Sequence, residues 1–285
     1  MSETLHLVNM ENGGRIALYR LAGQHSDRPP VIVAHGTISN VNTVRTLGKF
    51  LADNGFDCWL LEWAGHGQSQ AASSRQNFEY AAFNDLPAAV DTVLRETQQQ
   101  RVLWVAHSGG GHLPLMYLSR HSEQQSQFAG IVTIGTQSTH AALRFRDKVA
   151  GAVLWSITML MNRTPKFILP VGNDHEPTRL LLQWAKWNMT RQWLGTDGLD
   201  YMAALADLTV PVAVVAGAQD SIAPVAGCRA IYDSIGADKK TWILCAKSQG
   251  FSKDLTHGQL IRGTHAQNEV FPKLTEWLHH RTEHG

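Results

Sequence analysis

The chain has 285 residues, 44% of them hydrophobic and 24 of them glycine, a composition that buries a sizeable core and excludes a disordered or collagen-like polymer. Its 25 basic and 24 acidic residues are interspersed and leave a net charge of +1, without the basic block that grips phosphates, so nucleic acid is not an expected partner. Cys58, Cys228 and Cys245 are odd in number and widely spaced, which excludes a disulfide framework and a cysteine zinc site and fits a reducing compartment.

The opening Met-Ser-Glu-Thr-Leu-His has no basic cluster followed by an apolar run, so no secretory signal is expected and the chain reads as cytoplasmic. Residues 5–9 and 16–21, parted by Glu11, Asn12, Gly13 and Gly14, read as a hairpin that forms an antiparallel sheet edge. Buried parallel strands are then expected at Val31–Ala34 and at 58–61, 102–106, 131–134, 212–216 and 241–245. Helical spacing fills the intervals at 43–54, 86–98, 110–121, 225–235 and 266–281, with Asn84 and Asp85 expected to cap the second of these ahead of Pro87. Such alternation predicts a mostly parallel, doubly wound α/β sheet.

The alternation stops between Ser138 and Leu205, a connection too long to lack structure of its own. We expect a helical cap at 138–205, inserted into a core formed by 1–137 and 206–285. The cap contains Trp155, Trp184, Trp187 and Trp193 and the longest apolar stretch, 149–161, in which Trp155, Met159 and Met161 suit either a hydrophobic pocket or the cap's own core. That stretch is shorter than the roughly 20 residues that span a bilayer, so no stable membrane insertion is expected. The sequons at Asn162 and Asn188 read as chance in a chain without a signal.

Chemistry concentrates where strands end. The strand at 102–106 runs into Ala106-His107-Ser108-Gly109-Gly110-Gly111 and then a helix, the setting in which a strained serine is presented as a nucleophile. Small neighbours are needed there because the turn packs tightly, which accounts for Ala106, Gly109 and Gly110. Asp220 follows the strand at 212–216, where its side chain can serve as the acid of a triad or merely cap the next helix; the alternative place for an acid, after 131–134, offers only Thr136 and Gln137. His257, in the loop after the last strand, is the candidate base, with His265 as its rival nearer the final helix. Backbone N–H groups of Gly109 and of Thr37, in His35-Gly36-Thr37, are the candidate oxyanion donors. His35, His66 and His112 read as packing or turn residues, and no histidine pair has metal-ligand spacing with a carboxylate, so neither metal nor cofactor is expected.

These residues resemble the α/β-hydrolase superfamily, and within it the acid-lipase-like and lysophospholipase-like serine esterases. Val-Ile-Val-Ala-His-Gly-Thr, Leu-Ala-Asp-Asn-Gly-Phe-Asp-Cys-Trp-Leu, Asn-Asp-Leu-Pro-Ala-Ala-Val-Asp and Val-Ala-His-Ser-Gly-Gly follow one another as blocks of those enzymes do, and the segment from His257 to Leu278 is similar to their closing block. Ala106 stands where the family has a first glycine. The resemblance implies an α/β-hydrolase fold and cofactor-free hydrolysis of a small or lipid-like carboxylic ester by Ser108, His257 and Asp220. Its rivals are acyl transfer, cofactor-free haloperoxidase or carbon–carbon hydrolysis on the same scaffold, a lipase that uses 149–161 at a membrane surface, and a binding module that kept only the fold.

Overall fold

The computed structural model describes residues 3–23, 27–70, 76–141, 177–238 and 240–282. Eight strands are found among them: β1 (Glu3–Asn9), β2 (Arg15–Leu21), β3 (Val31–Ala34), β4 (Cys58–Glu62), β5 (Val102–His107), β6 (Phe128–Ile134), β7 (Val212–Gly217) and β8 (Lys240–Cys245). They form one sheet in the order β1-β2-β4-β3-β5-β6-β7-β8. Pairs β1–β2 and β2–β4 are antiparallel and the rest are parallel. The expected hairpin is therefore the antiparallel edge, closed by Met10 and Gly14 with Gly13 at φ +86°. Strands β3 to β7 are buried along their whole length, which explains why they read as continuous apolar runs without polar alternation.

Six helices of seven or more residues occur among the described residues: α1 (Val41–Asp53), α2 (Leu86–Thr97), α3 (His112–Leu118), α4 (Thr178–Thr190), α5 (Val225–Ser234) and α6 (Phe271–Thr282). Helices α1 and α6 bury Leu47, Leu51, Leu274 and Leu278 with Val33, Leu60 and Val105 on one face. Helices α2, α3 and α5 bury Val90, Leu113, Met116 and Ile231 with Ile32, Trp104 and Val214 on the other. This is the doubly wound α/β-hydrolase architecture. Trp59, Trp63, Trp104, Trp187 and Trp193 are all at most 1% exposed. The order of β3, β4 and β5 reverses the winding between β3 and β5, so the loops leaving those two strands open a crevice at the sheet's carboxyl edge.

The expected cap of α2 is wrong. Helical structure begins earlier, at Phe78, where Asn77 Oδ1 accepts the Tyr80 N–H at 2.8 Å. It then passes through a π-helical turn, Ala81–Asp85, directly into α2. Pro87 has no N–H to donate, and the register slip of the π turn absorbs that missing bond. Asp85 consequently has helical dihedrals and caps nothing; its Oδ2 accepts the Ala64 N–H at 2.8 Å. The helices expected at 110–121 and 266–281 are likewise preceded by other geometry, a 3-10 turn at Ser108–Gly111 and a π turn at Ala266–Val270.

The interruption at 138–205 falls between β6 and β7. Residues 142–176, with Trp155, Met159, Met161 and Asn162, lie outside the described residues. The described remainder consists of α4, a loop, and a short helical turn at Tyr201–Ala204. No helix among the described residues is long and apolar enough to cross a membrane.

Candidate active site

Ser108 leaves β5 at φ +52°, in the left-handed region that side-chain-bearing residues occupy at a cost of about 1–3 kcal/mol. The strain persists because neighbours hold the turn on every side. Thr136 Oγ1, just after β6, donates to the Ser108 carbonyl at 2.9 Å. A methyl group on Gly110 would lie 2.5 Å from the His35 carbonyl oxygen, and one on Gly111 would lie 2.2 Å from Thr136 Oγ1. The glycine run therefore lets β3 and β6 approach the turn, and Gly111 is needed as much as the two glycines before it.

The loop after β3 meets this turn. A methyl group on Gly36 would touch Ser108 Cβ at 2.9 Å, and one on Gly109 would be 3.2 Å from the Thr37 nitrogen. The Thr37 nitrogen thus lies beside Gly109, next to Ser108. Nδ1 of the buried His35 lies 2.8 Å from the Gly36 carbonyl oxygen and 2.7 Å from the Trp63 indole nitrogen, and it can serve one of them at a time, donating to the carbonyl or accepting from the indole.

Asp220 lies beyond β7 and ahead of α5, and it does not cap that helix. Its Oδ1 accepts the N–H groups of Ile222 and Ala223, while Oδ2 lies 2.7 Å from His257 Nδ1. The Asp220 side chain is fully buried and that of His257 is 12% exposed. Two backbone bonds, Gln219 N–H to Leu255 C=O at 3.0 Å and Leu255 N–H to Cys245 C=O at 3.1 Å, tie the two loops together. Thr256 and Gln259 close a capping box around the turn that starts at His257. A methyl group on Gly135 would lie 3.1 Å from the His257 ring and 3.2 Å from Asp220 Oδ2, so the end of β6 lies against the pair. His265 is elsewhere: its Nδ1 is 3.0 Å from Glu269 Oε1 and 2.9 Å from Ser252 Oγ.

His107 connects the two halves of this arrangement. It precedes Ser108, is buried, and its ring lies 4.5 Å from that of His257. Burial, and then the neighbouring His257, hold its pKa well below the ordinary histidine value. Burial does the same for His35, assisted by His66, and lowers His112 to about 4. Burial thus disfavours the charged form of all three rings. Sequence reading passed over His107 and treated Thr136 only as a failed acid position. The sole prior signal for His107 was its place next to the serine. No set of three or more His, Cys, Asp or Glu side chains among the described residues is placed to hold a metal ion.

The wall on the Gly109 side is aromatic. Phe78 Cε1 would be 3.3 Å from a methyl on Gly109, and its ring packs on His112 at 4.9 Å and Trp187 at 5.2 Å. Behind it, Glu79 accepts the Tyr201 hydroxyl at 2.9 Å and the Thr196 N–H at 3.0 Å. Arg120 donates to Tyr201 at 3.1 Å and to both oxygens of Asp197. This network fastens the chain after α4 to the core.

A family model described as serine aminopeptidase, S33, matches residues 25–248. Lipase 3 of Drosophila melanogaster is 29% identical over 136 residues, which is 42% of this chain and 34% of that protein. Human lysosomal acid lipase/cholesteryl ester hydrolase is 29% identical over 151 residues, 46% of this chain and 38% of that protein. The chain thus spans little more than a third of these curated relatives. Among solved structures, the monoacylglycerol lipase of Paleococcus ferrophilus has the same fold, with a TM-score of 0.63 at 20% identity over 93% of this chain and 99% of that one.

Proposed function

The chain belongs to the serine aminopeptidase S33 family of α/β hydrolases, and from that premise we propose that it is a serine hydrolase cleaving carboxylic esters through Ser108, His257 and Asp220. The observation that carries the reading is the 2.7 Å contact of Asp220 Oδ2 with His257 Nδ1 at the carboxyl edge that also presents the strained Ser108. His257 takes the Ser108 proton, the alkoxide attacks the ester carbonyl, and the N–H groups of Thr37 and Gly109 stabilise the oxyanion. Collapse expels the alcohol, protonated by His257, and leaves an acyl-serine. Water, activated by the same histidine, then releases the acid. Asp220 keeps the Nδ1–H tautomer, so that Nε2 is free to accept, and stabilises the imidazolium. Partial identity to two lipases favours ester over other bonds.

We further read 138–205 as an inserted cap and the protein as cytoplasmic, the latter supported by three free, buried thiols. Hydrolysis of p-nitrophenyl esters from acetate to palmitate, compared with Ser108→Ala, tests the function. Serine-dependent turnover supports it, and the preferred chain length sizes the acyl pocket. Turnover of aminoacyl p-nitroanilides with none of esters would replace it by peptide-bond chemistry.

A further inference from the structure

Thr136 occupies the place after β6 where a catalytic acid is absent, yet it is fully buried and its hydroxyl is spent on one atom, the Ser108 carbonyl oxygen at 2.9 Å. That carbonyl belongs to the same peptide unit as the Gly109 N–H. No peptide bond among the described residues is cis, so C=O and N–H point in opposite directions and holding one aims the other. Ser108 at φ +52° is a conformation the backbone does not keep unaided. The bare Cα of Gly111 is what allows Thr136 to reach this carbonyl, since any side chain there would collide with Oγ1.

We propose that Thr136 is a positioning residue: by anchoring the Ser108 carbonyl from behind, it aims the Gly109 N–H at the oxyanion. The inference rests on the serine-hydrolase reading above and adds to it a residue that neither touches substrate nor belongs to the triad. Oxyanion donors act on charge that exists only in the transition state. Loosening one should therefore lower kcat and kcat/KM together and leave KM nearly unchanged.

The test is a series at this position, Thr136→Ser, Thr136→Cys and Thr136→Val, with Ser108→Ala as the control. Kinetics on the best p-nitrophenyl ester are normalised to protein that melts cooperatively. A positioning role orders kcat by donor strength: Ser close to wild type, Cys intermediate, Val lower by about tenfold or more, with KM within about twofold. A packing role orders the variants by volume, with Val close to wild type and Ser the worst, and that result overturns the inference. So does an unchanged kcat across the series. Should the Val protein not fold, Ser against Cys still separates the two orders. Wild type that hydrolyses no ester and takes no serine-directed phosphonate removes both the underlying reading and this inference. Active wild type with a volume-ordered series removes only the inference.

Discussion

Asp220 grips His257 with one carboxylate oxygen and its own loop with the other: Oδ2 is 2.7 Å from His257 Nδ1, and Oδ1 accepts from Ile222 and Ala223 at 2.9 and 2.7 Å. In Asp220→Asn the amide oxygen keeps the two loop bonds, so the NH2 group faces His257. Nδ1 must then accept, which moves the ring proton to Nε2 and removes the lone pair that Ser108 needs. On the proposed mechanism kcat falls on the order of ten-thousandfold while the fold is retained. Steady-state ester kinetics and far-UV circular dichroism check this together; an active Asp220→Asn protein would exclude Asp220 as the orienting acid.

The two histidines that competed for the role of base separate cleanly. His265 bonds Glu269 and Ser252 at the surface, and Glu269, drawn down to about 2 chiefly by hydrogen bonds from Ser252 and then by His265, is a charged anchor for the Ser252 loop. His265→Ala is expected to retain ester turnover within about twofold and to change stability little, because exposed pairs contribute little. His257→Ala is expected to lose about a thousandfold or more. Equal losses from both would overturn the assignment.

Asp85 gives a signature in the pH dependence of stability. Burial raises its pKa to about 7, opposed by the Ala64 N–H and by nearby His66. As pH rises through about 4 the unfolded chain releases this proton, whereas the folded protein holds it until about 7. Stability is therefore lost between those values, on the order of 4 kcal/mol for three pH units. Asp85→Asn retains an acceptor for Ala64 and does not titrate. Its stability relative to wild type should rise across pH 4–7, and taking the difference cancels the opposite contribution of His112, whose lowered pKa removes stability as pH falls from about 6.5 to about 4. Urea unfolding at several pH values decides; a flat difference refutes the buried, protonated carboxyl.

Tyr201→Phe tests the fastening behind α4. The hydroxyl donates to Glu79 and accepts from Arg120, and its removal leaves a buried carboxylate short of a donor. The expected cost is about 1–3 kcal/mol, seen as a lower urea midpoint at unchanged m-value. An unchanged midpoint would mean that Thr196, Arg120 and Gln183, whose Nε2 donates to Glu79 Oε2 at 3.2 Å, satisfy Glu79 without the hydroxyl.

Strands β3 to β7 were legible because burial on both faces writes itself as apolar runs rich in Val, Ile and Leu, and a one-dimensional run suffices to find them. Asp220 and His257, put forward from their order after the serine, meet in the structure for a similarly simple reason: parallel strands deliver their carboxyl ends to one edge. What depended on approach in three dimensions could not be read. The bond from Thr136 to Ser108 spans two strands, and the contact of Glu79 with Tyr201 joins residues 122 apart. The early start of the helix at Phe78 was hidden because Asp85-Leu86-Pro87 imitates a capped beginning, while the carboxylate is claimed by Ala64 instead.

The five deeply buried tryptophans give the protein an optical property of its own. The indole nitrogens of Trp59, Trp104 and Trp193 are shielded from solvent and have no hydrogen-bond partner among the described residues. Emission from these three is expected to lie to the blue and to move to the red on unfolding, which a fluorescence-monitored urea titration checks. Trp187 packs against Phe78, whose ring edge lies beside Gly109, so the emission of that tryptophan is tied to the packing of the wall next to Ser108.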